Sequence, residues 1–234
     1  GPSGIKFMIF TRTVELLLKG TYLMTTGIPG PAYRIRTNRL VIRCWEPSDA
    51  EIMKTAIDES VDHLRPWMPW AYNEPEELQK KIDRLRAWRG QFDLGRDFVY
   101  GVFSADESRV LGGSGLHTRA GEDAREIGYW IHKDYVNQGL ATEVSAALTR
   151  VAFEIDLVQR VEIHCDPRNQ RSAAVARKLG YTHEGTLRQR FPMHDGSKVD
   201  TMVWTLLAAE YPSSPSAAGV IDAYAAVGRK IISA

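Results

Sequence analysis

The clearest pattern along the chain is a two-residue alternation of apolar and polar side chains in seven short segments. Alternation of this kind is typical of β-strands with one face toward a core, because successive side chains point to opposite faces. Turn-forming glycine, proline, asparagine and aspartate residues separate the segments. The pattern therefore predicts seven strands, at 40–45, 98–103, 109–117, 125–131, 160–165, 182–190 and 199–206.

Helical spacing replaces the alternation in four places. There, apolar residues recur every three or four positions, which is the period of a helix with one buried face. Ser48 followed by Glu51 predicts a capping box at the start of the first helix. Asn169 is a favourable N-cap, and Gly180 is a favourable residue just past a helix end. The predicted helices begin at Ser48, span 75–92, run from Gly139 to residue 155, and lie between Asn169 and Gly180.

The order of these elements predicts a mixed α+β (α/β) domain. The strands between 98 and 131 are joined by short polar turns, as in an antiparallel meander. The strand–helix–strand unit from 126 to 165 is expected to have parallel strands and a right-handed crossover. Turn-rich segments divide the chain into an N-terminal extension, 1–31, one domain, 32–211, and a C-terminal tail, 212–234, whose residues 217–234 favour a helix.

The composition is that of a globular protein with a self-sufficient core. Of 234 residues, 44% are hydrophobic and 25% are charged, which argues against disorder and against a disulfide scaffold. The two cysteines lie in apolar strand segments and are expected to be buried free thiols. A net charge of +1 and the absence of an apolar run of ~18 residues predict no nucleic-acid partner, no membrane partner and a cytoplasmic location.

The N-terminal segment carries little information about function. Residues 5–18 are apolar, but Arg12 and Glu15 interrupt them and no small-residue cleavage site follows. This pattern argues against a signal peptide. Gly1 to Gly4 resemble remnants of an expression vector, and Met24 is a candidate natural start.

The most informative segment is the turn into the third predicted helix. A strand ends near Ile131, a short polar loop follows, and Gly139, Leu140 and Ala141 open an amphipathic helix. Small residues let main-chain N–H groups approach a ligand, and a helix N-terminus adds unpaired donors and a positive dipole end. The segment therefore predicts a site for a phosphate or diphosphate. It lacks the Gly-Lys-Ser/Thr of a P-loop and the three glycines of a dinucleotide fingerprint.

Four motifs occur in a recognisable order. They are RTNRLVIR at 36–43, EIGYWI at 126–131, QGLATE at 138–143, and NQRS at 169–172 followed by KLGY at 178–181 and EG at 184–185. In these motifs the chain resembles the GCN5-related N-acetyltransferase (GNAT) superfamily, in particular the RimJ/RimL-type branch that acetylates protein N-termini. The resemblance implies a GNAT fold, with a twisted, mostly antiparallel sheet of about seven strands, split in a V at the cofactor site and flanked by about four helices.

The resemblance also implies that acetyl-CoA binds across the V. Its pantetheine arm would pair with the main chain of Trp130 and Ile131, and Asn169 and Ser172 match positions that face its thiol end. One departure is Val136, which stands where the superfamily often has Gln or Arg. The diphosphate would lie on the main-chain N–H groups of Gln138, Gly139, Leu140, Ala141 and Thr142.

Two side chains match catalytic positions of relatives. Glu126 matches a general base, and the alternative is a solvated carboxylate at a strand end. Ser172 matches a serine that protonates the departing thiolate, and it also fits the third position of a helix as a capping residue. The tyrosine acid used elsewhere in the superfamily would fall at Ala176, so its role does not transfer to this chain.

The candidate acceptor residues are Trp67, Trp70 and Tyr72, which lie in a proline-broken segment between two helices. In the family this region lines the mouth through which the acceptor enters. The three rings are therefore candidate walls of a substrate pocket, with plugging of the core as the alternative. No His or Cys spacing in the sequence fits a metal site, so no metal is expected.

Together these features predict an acetyl-CoA-dependent N-acetyltransferase that works by direct attack in a ternary complex. An α-amine, with a pKa of ~7.7–8.0, is neutral at pH 7 far more often than a lysine amine at ~10.4, and so needs only a modest base. The preferred acceptor is therefore the N-terminal α-amine of a protein, such as a ribosomal one. A small amine (an antibiotic or amino-acid derivative) as acceptor, and a catalytically silent acyl-CoA-binding module, are open alternatives, as are a monomer and a homodimer.

Overall fold

The computed structural model describes residues 30–232. Of the predicted N-terminal extension, 1–31, only the last two residues fall in this range, so the assignments of Gly1 to Gly4 and of Met24 lie outside it. Within the range, strands and helices alternate around one mixed sheet, which confirms the predicted fold class.

In the described part of the chain, all seven predicted strands form, as do the four helices predicted within 32–211. The helices are α1 (Ala50–Leu64), α2 (Leu78–Asp93), α3 (Leu140–Glu154) and α4 (Gln170–Lys178). The strands are β1 (Arg34–Arg36), β2 (Leu40–Cys44), β3 (Phe98–Ser104), β4 (Val110–His117), β5 (Ala124–Ile131), β6 (Arg160–Cys165), β7 (Thr182–Pro192), β8 (Lys198–Leu207), β9 (Asp222–Tyr224) and β10 (Lys230–Ile232).

The strands form one sheet in the order β10-β9-β1-β2-β3-β4-β5-β6-β8-β7. The β5–β6 pair is parallel and every other neighbouring pair is antiparallel. Helix α3 connects the two parallel strands, because strands that run in the same direction need a long crossover. The predicted parallel pairing and the helix between the two strands are therefore confirmed.

The sheet divides at the parallel pair. Pairing of β5 with β6 begins at Ala124–Arg160 and stops at Ile127–Ile163. Past that point β5 stays with β4, up to the pair Ile131–Gly112, whereas β6 follows β8, up to the pair of Cys165 with Met202. The two strands separate there, which confirms the expected V, and we call this opening the fork.

Two apolar clusters hold the helices on the two faces of the sheet. Ile127 of β5 packs with Val144 and Leu148 of α3 in the larger cluster. On the opposite face, Ile57 of α1 and Leu85 of α2 pack in the second cluster. Burial of such side chains, at about 25 cal/mol per Å² of apolar area removed from water, is the main force that holds both helix layers.

The C-terminal tail differs from the prediction. A helix was expected over 217–234, but β9 and β10 form there and β9 pairs with β1, with Ile35 opposite Ala223. Gly228 lies in the turn between them with φ +75°, a conformation that suits a glycine turn and not a helix. Strands β1, β9 and β10 have three residues each, too short to show an alternation, so the sheet has ten strands where about seven were expected.

The start of α1 also differs from the prediction. The capping box expected at Ser48 and Glu51 forms two residues earlier, because the Asp49 carboxylate accepts the Glu46 N–H at 2.8 Å. A short 3-10 turn, Pro47–Asp49, follows Glu46 and delays the α-helix to Ala50. Proline at the first position of that turn favours it, because its φ is preset and its missing N–H is not needed there.

A buried ion-pair cluster fixes the connection between α1 and α2. The Lys81 side chain is 0% exposed and contacts the Glu74 carboxylate, with Glu76 Oε2 3.2 Å from its Nζ. The Arg65 guanidinium donates to the main-chain carbonyl oxygens of Glu74 and Ala71, at 3.1 and 3.4 Å. These contacts hold the segment that carries the aromatic residues expected at the acceptor mouth.

Both cysteines are free and buried, as expected for thiols in strand segments. Burial raises the pKa of the Cys44 thiol to about 11 and also raises that of Cys165. No helix between residues 30 and 232 has both the length and the apolar character that crossing a bilayer requires.

Candidate functional site

The turn before α3 has the backbone geometry of a main-chain anion site. Gly139 is the N-cap of α3 with φ 77°, and Asn137 is also left-handed, with φ 60°. The Glu143 N–H reaches back to the Gly139 carbonyl oxygen at 3.0 Å. The N–H groups that precede it have no partner within the helix, and the positive end of the helix dipole lies beside them.

An arginine from the β1–β2 turn borders this helix start. The Arg39 guanidinium holds Glu143 Oε2 through Nε and Nη2, at 2.7 and 2.6 Å, and its Nη1 donates to the Gln138 carbonyl oxygen at 3.0 Å. Thr37 Oγ1 donates to the other carboxylate oxygen of Glu143 at 2.6 Å. Arg39 therefore fixes the main chain at Gln138 and balances a negative charge in the first turn of α3.

Past the fork, β5 has an open edge. Trp130 and Ile131 pair with Gly113 and Gly112 of β4 on one side, whereas β6 pairs with β5 only as far as Ile127. Main-chain groups on the β6 side of residues 128–131 are therefore available to an extended ligand. A ligand of that shape can add to a sheet edge in the manner of another strand.

A hydroxyl pair joins the two sides of the fork. Asn169 caps α4 by accepting the Ser172 N–H at 3.2 Å, as its sequence position predicts. The Ser172 hydroxyl lies 2.9 Å from the hydroxyl of Tyr129 on β5. Burial raises the pKa of Tyr129 more than the Ser172 hydrogen bond lowers it, so the pKa is well above its ordinary value and the phenol keeps its proton.

A strip of glycines lies on the α1–α2 face of the sheet where β4 pairs with β5, and we call this strip and the side chains around it the groove. A Cβ on Gly113 would come within 2.5 Å of Trp130 Nε1, and one on Gly115 within 2.6 Å of His117 Nε2. Gly128 of β5 lies opposite Gly115 of β4. The rings of Trp130 and His117 pack directly on Gly113 and Gly115, whereas a Cβ on Gly128 would come no closer than 3.8 Å to the His117 ring, so the space over Gly128 is open to a bound molecule.

Glu126 lies on the same face, at the end of the groove where β5 and β6 are still paired, which we call its closed end. Glu126 is 8% exposed. The Arg119 guanidinium holds both of its oxygens, at 2.5 and 2.7 Å. Burial raises the pKa of the Glu126 carboxyl, but the bond to Arg119 and its charge lower it by more, so the pKa is below its ordinary value. Glu126 is therefore a buried carboxylate paired with Arg119, and not the solvated carboxylate that was the alternative.

The groove is not strongly acidic. Like Glu126, the other carboxylates near its closed end have basic partners, with Asp97 3.0 Å from His117 Nδ1 and Glu162 2.7 Å from Arg160 Nε. Among the described residues no group of three His, Cys, Asp or Glu side chains is placed to hold a metal ion.

Of the three expected aromatic walls, Trp70 lies beside the groove. Trp70 packs edge-on against Trp130, with ring centroids 6.3 Å apart. Tyr72 stacks on His194, at the tip of the β7–β8 hairpin, with centroids 3.3 Å apart. Trp67 is half-buried at the end of α1, where its N–H donates to the Leu64 carbonyl oxygen. The structure therefore brings Trp70 to Trp130 at the edge of the second apolar cluster, and Tyr72 to the β7–β8 hairpin, whereas Trp67 contacts neither ring.

Three contributors were missed from the sequence, namely Arg39, Arg119 and Tyr129. Arg39 and Tyr129 stand in recognised motifs, but their partners Glu143 and Ser172 are 104 and 43 positions away. The sequence does show the Arg39 charge and the Tyr129 hydroxyl, each within a motif typical of the family, and these positions could have been considered as candidate site residues.

Comparisons with known proteins agree with this geometry. The acetyltransferase (GNAT) domain profile matches residues 39–182. The chain is 28% identical over 173 residues to the putative ribosomal N-acetyltransferase YdaF of Bacillus subtilis, which covers 74% of this chain and 93% of that protein. It is 25% identical over 186 residues to the [ribosomal protein uS5]-alanine N-acetyltransferase of Escherichia coli, covering 77% and 94%.

A solved structure also shares the fold. RimJ from Mycobacterium smegmatis, in complex with CoA-disulfide, matches with a TM-score of 0.67 at 21% identity, over 82% of this chain and 93% of that one. The expected GNAT fold and the resemblance to RimJ/RimL-type proteins are confirmed. Because the domain profile spans more than half of the chain, the protein belongs to the GNAT acetyltransferase family and is an acyltransferase that uses acetyl-CoA.

Proposed function

We propose that this acetyltransferase acts on the N-terminal α-amine of a protein, by direct attack of the amine on the acetyl group while donor and acceptor are both bound. The observation that carries the proposal is that two binding features meet at the fork. One is the open edge of β5 beside the α3 turn, and the other is the glycine-floored groove that ends at Gly128.

The residues at the fork fit acetyl-CoA. The open edge at Trp130 and Ile131 suits the extended pantetheine arm, and Asn169 positions α4 so that the Ser172 hydroxyl faces the fork. When bound, the coenzyme supplies an acetyl group activated as a thioester. We assign its diphosphate to the main-chain N–H groups of Gln138, Gly139, Leu140, Ala141 and Thr142, where an anion meets unpaired donors and a positive dipole end.

We assign Ser172 as the donor of the proton that the departing sulfur needs. Its hydroxyl contacts the Tyr129 phenol, which stays protonated and can return a proton to it. Glu126 acts as a fixed negative charge near the reacting amine, because its pair with Arg119 lowers its pKa and makes it a weak proton acceptor near neutral pH.

The glycine floor supports a peptide N-terminus as the acceptor. The main chain of a peptide can approach Gly128, where a Cβ would meet nothing closer than the His117 ring at 3.8 Å, whereas the rings of Trp130 and His117 cover Gly113 and Gly115. A free α-amine is also the peptide amine that is neutral most often at pH 7, since its pKa is ~7.7–8.0. The names of YdaF and of the uS5-alanine enzyme refer to ribosomal acceptors, which agrees with this assignment.

A small cationic amine as acceptor fits the groove less well. Polycationic small molecules need an excess of unpaired carboxylates, whereas Asp97, Glu126 and Glu162 each have a basic partner. This pairing favours the peptide acceptor over an antibiotic-like amine.

Release of free thiol from acetyl-CoA, titrated over a panel of acceptors, tests the proposal. We expect release with peptides that have a free N-terminus, and none with the same peptides blocked at the α-amine but carrying an internal lysine. Release with small polyamines alone would establish the small-amine alternative. Tight coenzyme binding with no acceptor-dependent release would establish a silent acyl-CoA-binding module.

Arg39→Gln is expected to raise the dissociation constant for coenzyme A about tenfold, with the fold retained. The change removes the donor to the Gln138 carbonyl oxygen and leaves the Glu143 charge unbalanced beside the proposed diphosphate site. Calorimetric titration at low ionic strength measures the effect, because salt screens exposed charges.

Three controls isolate this effect. Arg36→Gln, at an exposed arginine of β1, should leave the affinity unchanged. Arg39→Gln combined with Glu143→Gln should recover most of the loss, because the unbalanced charge is gone. An equal loss of affinity for a pantetheine thioester, which has no diphosphate, would contradict the assignment.

A further inference from the structure

His164 is a titratable side chain at the fork with no role in the function proposed above. It is the next-to-last residue of β6 and follows Ile163, the last residue of β6 that pairs with β5. Strand alternation places it on the same face as Glu162, toward the groove. Its side chain is 30% exposed, so a molecule in the groove can reach it.

Carboxylates face both nitrogens of the imidazole. Nε2 lies 2.7 Å from Glu162 Oε2, which is a short hydrogen bond. Nδ1 lies 3.8 Å from Glu126 Oε2, which is too long for a direct hydrogen bond. With the Nε2 proton directed to Glu162, Nδ1 carries the lone pair and lies on the Glu126 side of the ring.

The two carboxylates are themselves fixed. Arg119 holds Glu126 through two hydrogen bonds, and Arg160 Nε donates to the second oxygen of Glu162 at 2.7 Å. Glu162 therefore holds the imidazole in one orientation, and Arg160 in turn holds Glu162. This is the arrangement by which proteins orient a histidine that accepts protons.

Imidazole suits the proton-transfer step better than the nearby carboxylate. A general base works best when its pKa lies near the working pH, and imidazoles as a class change charge between pH 5 and 8. The pKa of Glu126 is held below its ordinary value by Arg119. Glu126 therefore stays charged and stabilises a positive charge on its neighbour.

We propose that His164 accepts the proton of the acceptor amine, an inference that rests on the proposed function of the fork and groove. As the amine nitrogen bonds to the acetyl carbon, His164 Nδ1 takes the proton that the nitrogen loses. The carbon–sulfur bond breaks, the sulfur keeps its electron pair, and Ser172 donates a proton to it. Glu162 orients the imidazole, Glu126 stabilises its charged form, and solvent later removes the proton.

The pH dependence of this step is set by a small group of charges. The titratable and charged groups around His164 come from β4, the turn that follows it, β5 and β6, and they are His117, Arg119, Glu126, Arg160 and Glu162. Val203 of β8 is the strand partner of His164 and adds no charge.

His164→Gln tests the proposal, because glutamine can keep a donor toward Glu162 but has no basic nitrogen. We expect kcat to fall about 100-fold, with an unchanged dissociation constant for coenzyme A, which also shows that the variant folds. The inflection that a proton-accepting group gives the pH profile of kcat should disappear, and added imidazole should restore part of the rate. His183→Gln, at a histidine stacked on Trp204, is the matched control and should behave as the wild type.

Glu162→Gln gives a second and independent readout. Loss of a negative charge beside the imidazole makes its charged form less favourable, so the inflection in kcat should move to lower pH. An inflection that stays in place in Glu162→Gln, or a kcat within threefold of wild type in His164→Gln, would overturn the assignment. If the wild type itself releases no thiol with any acceptor, the proposed function fails instead.

Discussion

Replacing Gly139 with glutamate is expected to raise the dissociation constant for acetyl-CoA at least about 100-fold, or ~2.7 kcal/mol. The new carboxylate would stand beside the proposed diphosphate site and repel it. Any side chain at this left-handed position also adds strain at the N-cap of α3. The fold should survive, because a Cβ at Gly139 meets nothing closer than Arg39 Nη2, 3.7 Å away. Calorimetric titration with acetyl-CoA measures the loss.

Two further variants at this position separate charge from strain and bulk. Gly139→Ala has the strain alone, and Gly139→Gln has the strain and the length of glutamate without its charge. We expect the affinity to fall in the order alanine, glutamine, glutamate. An unchanged affinity in Gly139→Glu would remove the turn from the coenzyme site.

Replacing Lys81 with methionine is expected to lower the free energy of unfolding by about 3–5 kcal/mol. The Lys81 side chain is fully buried and contacts Glu74, with Glu76 close by. Without the ammonium group, the buried Glu74 carboxylate loses its contacting cation, because the remaining cation, Arg84, lies 3.9 Å away and bonds to Glu76. Urea denaturation followed by circular dichroism measures the change as a shift of the midpoint at constant slope.

The neighbouring residues provide controls for Lys81. Lys80→Met, at an exposed lysine of the same helix, should change the unfolding free energy by less than about 0.5 kcal/mol. Combining Lys81→Met with Glu74→Gln should recover part of the loss, because one buried charge is removed. A loss below about 1 kcal/mol in Lys81→Met would show that water reaches the carboxylates.

The elements that could be predicted from the sequence are those long enough to show a repeating pattern of apolar residues. The strands from β2 to β8 are five or more residues long, β6 alternates buried and half-buried residues along its length, and α3 shows helical spacing throughout. The three-residue strands have no such pattern, and β9 exists because β1 offers it an unpaired edge. That edge is a property of the folded sheet and is absent from the local sequence of the tail.

The same distinction applies to the candidate site. The α3 turn could be predicted because a main-chain site depends on local features, such as Gly139 and a helix that starts beside it. The pairs that organise the rest depend on the sheet order, which brings Tyr129 to Ser172 and His164 to Glu126. Their chemistry is visible in the sequence, but their proximity is not.

Gly128 offers only main-chain atoms to a molecule in the groove, and the rings of Trp130 and His117 cover the neighbouring Gly113 and Gly115. Main-chain recognition does not depend on which side chains an acceptor carries, so discrimination among acceptors falls to the walls, where Trp70 and His117 stand. Substitutions in the walls leave the floor and the proton-transfer groups intact. A few substitutions in the walls can therefore change which acceptors the enzyme binds without changing the reaction that it catalyses.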